Sequence, residues 1–388
     1  MKLEKIKKKY LILLAILLVV LSVLKLFWLS IAILIHILLS WGINYVINLI
    51  KYEVVKKLCK IVFLILIFLY VGIGIRVFVI DIYLIPSPSM ANTLYPQDVI
   101  LVNKLKYGPN LPQSPYEIPL VNIFYYLNDN SKKTVNRKVW PYKRLSGTTT
   151  ITQGDVAVFK NRAVLVKRVA AIAGDTLKIV NAEVYLNNKL IEPQKHVRNS
   201  YVFKLNKPKQ FYRAIDSLNI EGRFFSINDF NWKQAELYYL EAKQIKQLNS
   251  IDSFSVKVAD TPIKAKMFPW YKDKNWTLDN YGPIIIPKKG MEIQLNDDSF
   301  ELYKYILQTY ENIDIKKQND NFYANGNVLT KYIFKRNYYF MLGDNRNDSR
   351  DSRYMGFIPE ENIIGKVSCI LFSNKDGCFQ WNRLFKGV

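Results

Sequence analysis

Histidine is nearly absent from this chain: two residues, His36 and His196, in 388. His36 sits in an apolar stretch and His196 in QKHVRNS, with no nucleophile motif beside it. A Ser-His-Asp triad would have to be built on His196 alone. Cysteine is as scarce, with only Cys59, Cys369 and Cys378. No group of His and Cys has the spacing of an ordinary zinc site, and no metal is expected. Gly-rich phosphate loops and EF-hand spacings are missing too, so no cofactor is expected. Acidic residues are outnumbered, 32 against 55 basic, for a formal charge of +23. The surplus is mostly scattered lysine, in a chain also rich in Asn, Ile and Tyr, the composition of an AT-rich genome. No arginine-rich patch or nucleic-acid motif accompanies it, so nucleic acid is not an expected partner. A positive exterior suits the neighbourhood of anionic lipid. Cys369 and Cys378, nine residues apart, could pair if they lie in an oxidising compartment.

Long apolar runs, by contrast, fill the N-terminal part. Residues 10–24 are almost wholly apolar, Lys25 interrupts, and residues 26–50 are again mostly apolar. A single helix over 10–50 would be about 60 Å long, roughly twice the hydrocarbon core. Two spans fit better than one, with Lys25 at the turn. One span plus an interfacial piece is the alternative. Residues 51–60, KYEVVKKLCK, are basic, and residues 61–80 form the clearest span. The positive-inside rule puts Lys7–Lys9 and Lys51–Lys60 on the cytoplasmic side. Three spans then carry the chain outward at Ile80; two would put the N-terminus outside. Residues 1–24 lack the small-x-small ending of a cleaved signal peptide.

Beyond Ile80 the texture changes to short segments rich in β-branched residues. DVILVNKL at 98–105, GDVAVFK at 154–160, AVLVKRVAAI at 163–172 and AEVYLNNKLI at 182–191 read as antiparallel strands, the last folded at Asn187-Asn188. Helices are predicted over 231–248 and 299–311. In the second, Tyr303, Ile306, Leu307 and Tyr310 follow a helical stripe behind an Asn-Asp-Asp cap.

Two residues in this part carry chemistry. Ser89, in PSPSM, comes nine residues after the last span, and Lys167, in LVKRV, lies on a predicted buried strand. A serine hydroxyl needs a neighbouring base before it can attack a peptide carbonyl. A free lysine, with a pKa of about 10.4, is protonated at neutral pH and cannot serve. Burial lowers that value. Leu165 and Val169 share a strand face with Lys167 and supply an apolar environment, while Arg168 points to the other face.

Four blocks, in order, resemble the type I signal peptidases: PSPSMANTL at 86–94, GDVAVFK at 154–160, VKRVAAIAGD at 166–175 and GDNRNDSRDSRYMGF at 343–357. These are membrane-anchored Ser/Lys proteases that remove signal peptides from exported proteins. The resemblance implies Ser89 as nucleophile and Lys167 as general base. Ser87, with the backbone N–H of Ser89, would form the oxyanion hole, and Ser349 would orient the lysine. Asp344 and Arg346 match the residues of the Gly-Asp-Asn-Arg turn, and Asp351 and Arg353 match a structural ion pair. Shallow pockets for small residues would be lined by Tyr83, Ile85, Pro86, Leu94, Leu165 and Val166. The fold expected is mainly β. It has a membrane-anchored antiparallel catalytic core in two parts (81–180 and 341–388) and an inserted α+β cap at 181–340. Trp232, Trp270 and Trp276 of that cap are expected to serve a second core. A membrane region at 1–60 and a transmembrane helix at 61–80 precede it. Partners implied are signal peptides of exported preproteins, membrane lipid and the translocation machinery, at the plasma (inner) membrane with the catalytic domain on the outer or periplasmic side.

The sequence departs from the family at three points. Asn92 stands where Met-x-Pro-Thr-Leu has proline, Pro88 separates the two serines where Gly or Ser is common, and Asn347-Asp348 precede Ser349 where the acid often comes first. Two other readings share some features. A self-cleaving repressor would carry a DNA-binding helix-turn-helix where this chain has apolar spans. A non-enzymatic relative acting as a scaffold would have lost Ser89 or Lys167.

Overall fold

The structure is a computed structural model. It describes residues 2–388 apart from 128–138, 221–223, 228, 260–266, 271–274, 320 and 376. The chain divides into two compact units, 1–83 with 100–151 and 364–369, and 84–99 with 152–363 and 370–388.

The first unit begins with helices α1 (Lys2–Val23), α2 (Phe27–Asn48) and α3 (Glu53–Phe78). The break expected at Lys25 is there: Lys25 adopts φ 63, a left-handed conformation that ends α1. Leu26 beside it is buried, and Ser30 Oγ of α2 donates to Leu18 O of α1 at 3.3 Å. His36 stacks on Tyr70, and Trp28 lies against Phe78, so α3 packs on α2. α2 and α3 are each long and apolar enough to cross a membrane. Their outward faces carry exposed large apolar side chains such as Leu38 and Phe68, a surface suited to lipid. Trp28 Nε1 donates to Ser146 O at 2.9 Å and Ser146 Oγ to Lys25 O at 2.6 Å, tying the α1–α2 turn to the loop around 146. The strands Ile80–Leu84 and Val99–Asn103 are neighbours in this unit.

The second unit is built of antiparallel sheets. Val156–Asn161, Ala163–Ala171, Tyr338–Leu342 and Ile358–Pro359 lie side by side in that order. The first two were legible as β-branched sequence; Tyr338–Leu342, aromatic and wholly buried, was not among the expected strands. A second sheet holds Tyr281–Ile285, Thr176–Val180, Glu183–Leu186 and Lys189–Leu190. Its last two strands join through Asn187 (φ 51) and Asn188 (φ 64), the left-handed pair of a tight hairpin turn. One core runs through both sheets and the helix Asp297–Thr309, from Ala171 and Leu177 to Tyr303, Ile306, Phe340 and Phe357. That helix starts as expected, with Asn296 Oδ1 accepting from Ser299 N. Trp276 packs against this core; Trp270 lies at its flank on Phe268 and Tyr305.

A third sheet, Ile251–Val256, Arg198–Leu205, Asp229–Tyr238 and Phe225–Ile227, has a separate core with Phe203, Phe211, Leu237 and Ile245. Here the predicted helix 231–248 is corrected. Residues up to Tyr238 form a strand, and only Tyr239–Lys246 is helical. The strand buries Lys233, Ala235 and Leu237 on one face. A lysine at an inward position hid the alternation, and pairing with two neighbouring strands outweighed the helix propensity of the segment. All three cysteines are free, so Cys369 and Cys378 are not paired.

Candidate active site

The site lies wholly within the second unit. Ser89 sits in a single 3₁₀ turn, Pro88–Met90, with Ser87 as its extended N-cap. Proline at the first position presets the turn. Lys167 lies in the middle of the strand Ala163–Ala171, paired across to Ala157. Alternation along the strand sends Lys167 and Val169 inward, both buried, and Leu165 on the same face is half-buried. Lys167 Nζ is 2.6 Å from Ser89 Oγ and donates to Val166 O at 3.0 Å. Burial pushes the Lys167 amine below the ordinary lysine value, against the opposing pull of Asp351 and Asp344. Ser87 Oγ is 3.2 Å from Ser89 Oγ, on an exposed residue open to an incoming ligand.

Arg168, on the opposite face of the strand, forks onto Asp344: Nε to Oδ1 at 2.7 Å and Nη2 to Oδ2 at 2.6 Å. Asp344 also accepts from Thr93 Oγ1 at 2.5 Å. The turn 343–346 thus reaches both the lysine strand and the loop after Ser89. It touches Ser89 itself through Asn345 N, which donates to Ser89 O at 3.1 Å, while Asn345 Nδ2 donates to Pro88 O at 3.3 Å. Gly343 is needed here: a Cβ would come within 2.1 Å of Ser349 Oγ and 2.7 Å of Ser89 O. Asp351 and Arg353 form the expected ion pair, both fully buried, with Nε to Oδ1 at 2.9 Å and Nη2 to Oδ2 at 2.8 Å. Burial alone would raise the Asp351 carboxyl. The Arg353 charge, its hydrogen bonds and the Gly343 N–H hold it below the ordinary value instead. Arg353 Nη2 donates to Arg346 O at 2.6 Å, closing the turn.

Sequence reading brought Ser87, Ser89 and Lys167 together, and the structure does the same. Elsewhere it adds detail. Asp344 pairs with Arg168, and the buried Nε of Arg346 has no partner among the described residues. Burial, with Arg353 nearby, brings the Arg346 guanidinium down to about 10. Ser349 Oγ is buried beside Gly343 and the Ser89 carbonyl, and it too has no partner among the described residues. Of the pocket residues, Leu165 and Val166 are half-buried, Pro86 is exposed, Ile85 is buried, and Leu94 has no exposed surface. Tyr83 belongs to the first unit, where its hydroxyl donates to Asp81 at 3.0 Å. Arg168, Thr93 and Asn345 were missed as site residues. Their only signal was position inside the quoted blocks, since the contacts that give them a role span over 70 residues of chain. His196 makes no hydrogen bond to either serine, and its Nδ1 is buried without a partner among the described residues.

A hydroxyl held against a buried amine can act as a nucleophile–base pair without histidine. The class this arrangement defines is a serine peptidase. Comparison with known proteins agrees: a family model described as "Signal peptidase, peptidase S26" matches residues 55–231 and 282–372. Relatives named Signal peptidase I include that of Buchnera aphidicola subsp. Baizongia pistaciae, 27% identical over 305 residues, covering 76% of this chain and 70% of the relative. That of Aquifex aeolicus is 26% identical over 305 residues, covering 78% and 79%. That of Helicobacter pylori 26695 is 23% identical over 331 residues, covering 80% and 86%. The chain belongs to the signal peptidase family, peptidase S26, the membrane-associated serine peptidases that remove signal peptides.

Proposed function

We propose that this protein cuts signal peptides from exported preproteins after a small-x-small motif, with Ser89 as nucleophile and Lys167 as general base. The observation that carries this reading is the 2.6 Å separation of Ser89 Oγ from a buried Lys167 Nζ. The neutral amine takes the hydroxyl proton as Oγ bonds to the scissile carbonyl carbon. The resulting ammonium then protonates the leaving amine of the mature chain as the C–N bond breaks. Water, deprotonated by Lys167, then attacks the acyl carbon; the bond to Ser89 Oγ breaks, Oγ takes the proton back from the ammonium, and the signal peptide leaves as a carboxylic acid. Charge on the tetrahedral oxygen falls to the Ser89 N–H and the Ser87 hydroxyl. Asp344, Arg346, Asp351 and Arg353 shape the turn beneath. The family resemblance gives Ser349 the role of orienting the lysine, but its buried Oγ makes no hydrogen bond to Lys167 here.

Ile85, Pro86, Leu165 and Val166 line shallow pockets that admit small side chains, with Leu94 packed below. Three spans, α1 to α3, anchor the chain in the plasma (inner) membrane, with the catalytic region on the outer or periplasmic face. The catalytic core comprises 81–180 and 341–388. Within the inserted cap, 181–340, the sheet of 198–256 has its own core, which supports its reading as a separate lobe. Lipid and the translocation machinery are the partners of such an arrangement.

The test is cleavage of a preprotein by detergent-solubilised full-length protein. Wild type cleaves; Ser89→Ala, Lys167→Ala and the double variant lose similar activity, because members of one catalytic unit are not additive. Robust cleavage by Ser89→Ala would end this reading.

A further inference from the structure

The loop that carries Ser89 is closed by a residue from far along the chain, in the turn Trp381–Arg383. The Arg383 side chain is buried. Its Nη2 donates to the Asp98 carboxylate and, at 3.2 Å, to Thr93 O, and its Nε donates to Ser373 Oγ at 3.2 Å. The guanidinium lies over the Tyr95 ring, 4.5 Å from the centroid. Asp98, fully buried, also accepts from Tyr95 N at 2.9 Å. The two ends of the loop meet where Ile85 N bonds Asp98 O and Gln97 N bonds Ile85 O, both at 2.8 Å. Thr93 is therefore gripped from two sides, its carbonyl by Arg383 and its hydroxyl by Asp344.

This loop needs outside support. Asn92 and Gln97 both stand at φ 71, a left-handed conformation that Asn tolerates but Gln seldom adopts. A strained left-handed residue such as Gln97 persists where its neighbours over-determine it. Asn92 occupies the position of the missing proline, and at φ 71 a proline ring could not form there. Ring rigidity is replaced by a guanidinium that binds one backbone carbonyl, one carboxylate and one aromatic face of the same loop.

We propose that Arg383 is a positioning residue for catalysis: it locks the loop 89–98 so that Ser89 Oγ stays against Lys167. This rests on the assignment of Ser89 as nucleophile. Misplacement of a reacting group by about 1 Å can cost on the order of 10²-fold in rate. In the full-length protein in detergent, folded Arg383→Ala should lose about 10- to 100-fold in kcat, with KM within about twofold. Added methylguanidinium should restore a large part of the rate. Arg383→Lys, which keeps a charge for Asp98 but not the fork or the flat face, should fall between. Ser89→Ala runs beside them: if it cleaves, the nucleophile assignment fails, whatever Arg383 does. The proposal is overturned by a folded Arg383→Ala with near-wild-type kcat, by a loss confined to KM, or by no response to methylguanidinium. If Arg383→Ala does not fold, Arg383→Lys decides on the same kcat and KM criteria. Failure of both to fold also overturns it, because the residue would then be a stability element alone.

Discussion

At the scale of single residues, the burial of Lys167 couples activity to stability. Its amine titrates below the ordinary lysine value when folded, chiefly through burial. Unfolded chains therefore bind more protons between the folded and unfolded pKa values, and stability rises with pH across that window. With Lys167 as the proposed base, activity should rise along the same limb, because the base must be neutral. Lys167→Met keeps the volume and removes the cost of the buried ammonium. It should abolish cleavage yet raise Tm near neutral pH, with the gain shrinking as pH approaches about 10. Equal melting of the two proteins from about pH 6 to about pH 10 would contradict this. Asp344 gives the opposite case. Asp344→Asn leaves Arg168 unpaired beneath the site, and breaking such a buried pair costs about 3–5 kcal/mol. Denaturant unfolding should report a loss of that order, and a midpoint near wild type would show the pair to be expendable.

Elements set how far apart in sequence the site can be drawn from. The turn 343–346 bonds both to the strand of Lys167 and to the 3₁₀ turn of Ser89. Gly343→Ala would drive a methyl into Ser349 and the Ser89 carbonyl, so cleavage should fall at least tenfold even where the variant folds; full activity would mean the turn can yield. Asn92→Pro should destabilise the loop strongly while Asn92→Gly is tolerated, the reverse of what the family motif alone would suggest. Their relative Tm values decide it. The strands around Lys167 and the hairpin at Asn187-Asn188 were legible because β-branched runs and left-handed Asn pairs are local signals. The strand Asp229–Tyr238 was not, because its inward lysine broke the alternation. Ser89 and Lys167 could be named from their motifs. Arg168, Thr93 and Arg383 could not, since each acquires its role from a contact that no local pattern encodes.

For the whole molecule, the topology proposal makes the sidedness of the basic segments measurable. In a background lacking Cys59, Cys369 and Cys378, single cysteines at Lys5, Val55 and the exposed Lys209 can be probed with an impermeant thiol reagent on spheroplasts. Labelling at Lys209 alone fits three spans, and labelling at Lys5 as well fits two. Labelling at Val55 but not at Lys209 would put the site in the wrong compartment. The turn 343–346 carries one more consequence, and it concerns time. Lys167 is followed by roughly 190 residues before Arg353 completes the support of Ser89. At about 5–20 residues per second, that interval lasts on the order of 10–40 s. Throughout it the nascent chain has its helices, its serine and its lysine but not the segment that brings the last two together. On the proposed topology, the apolar helices would enter the membrane before the peptidase that handles such segments has its serine and lysine joined.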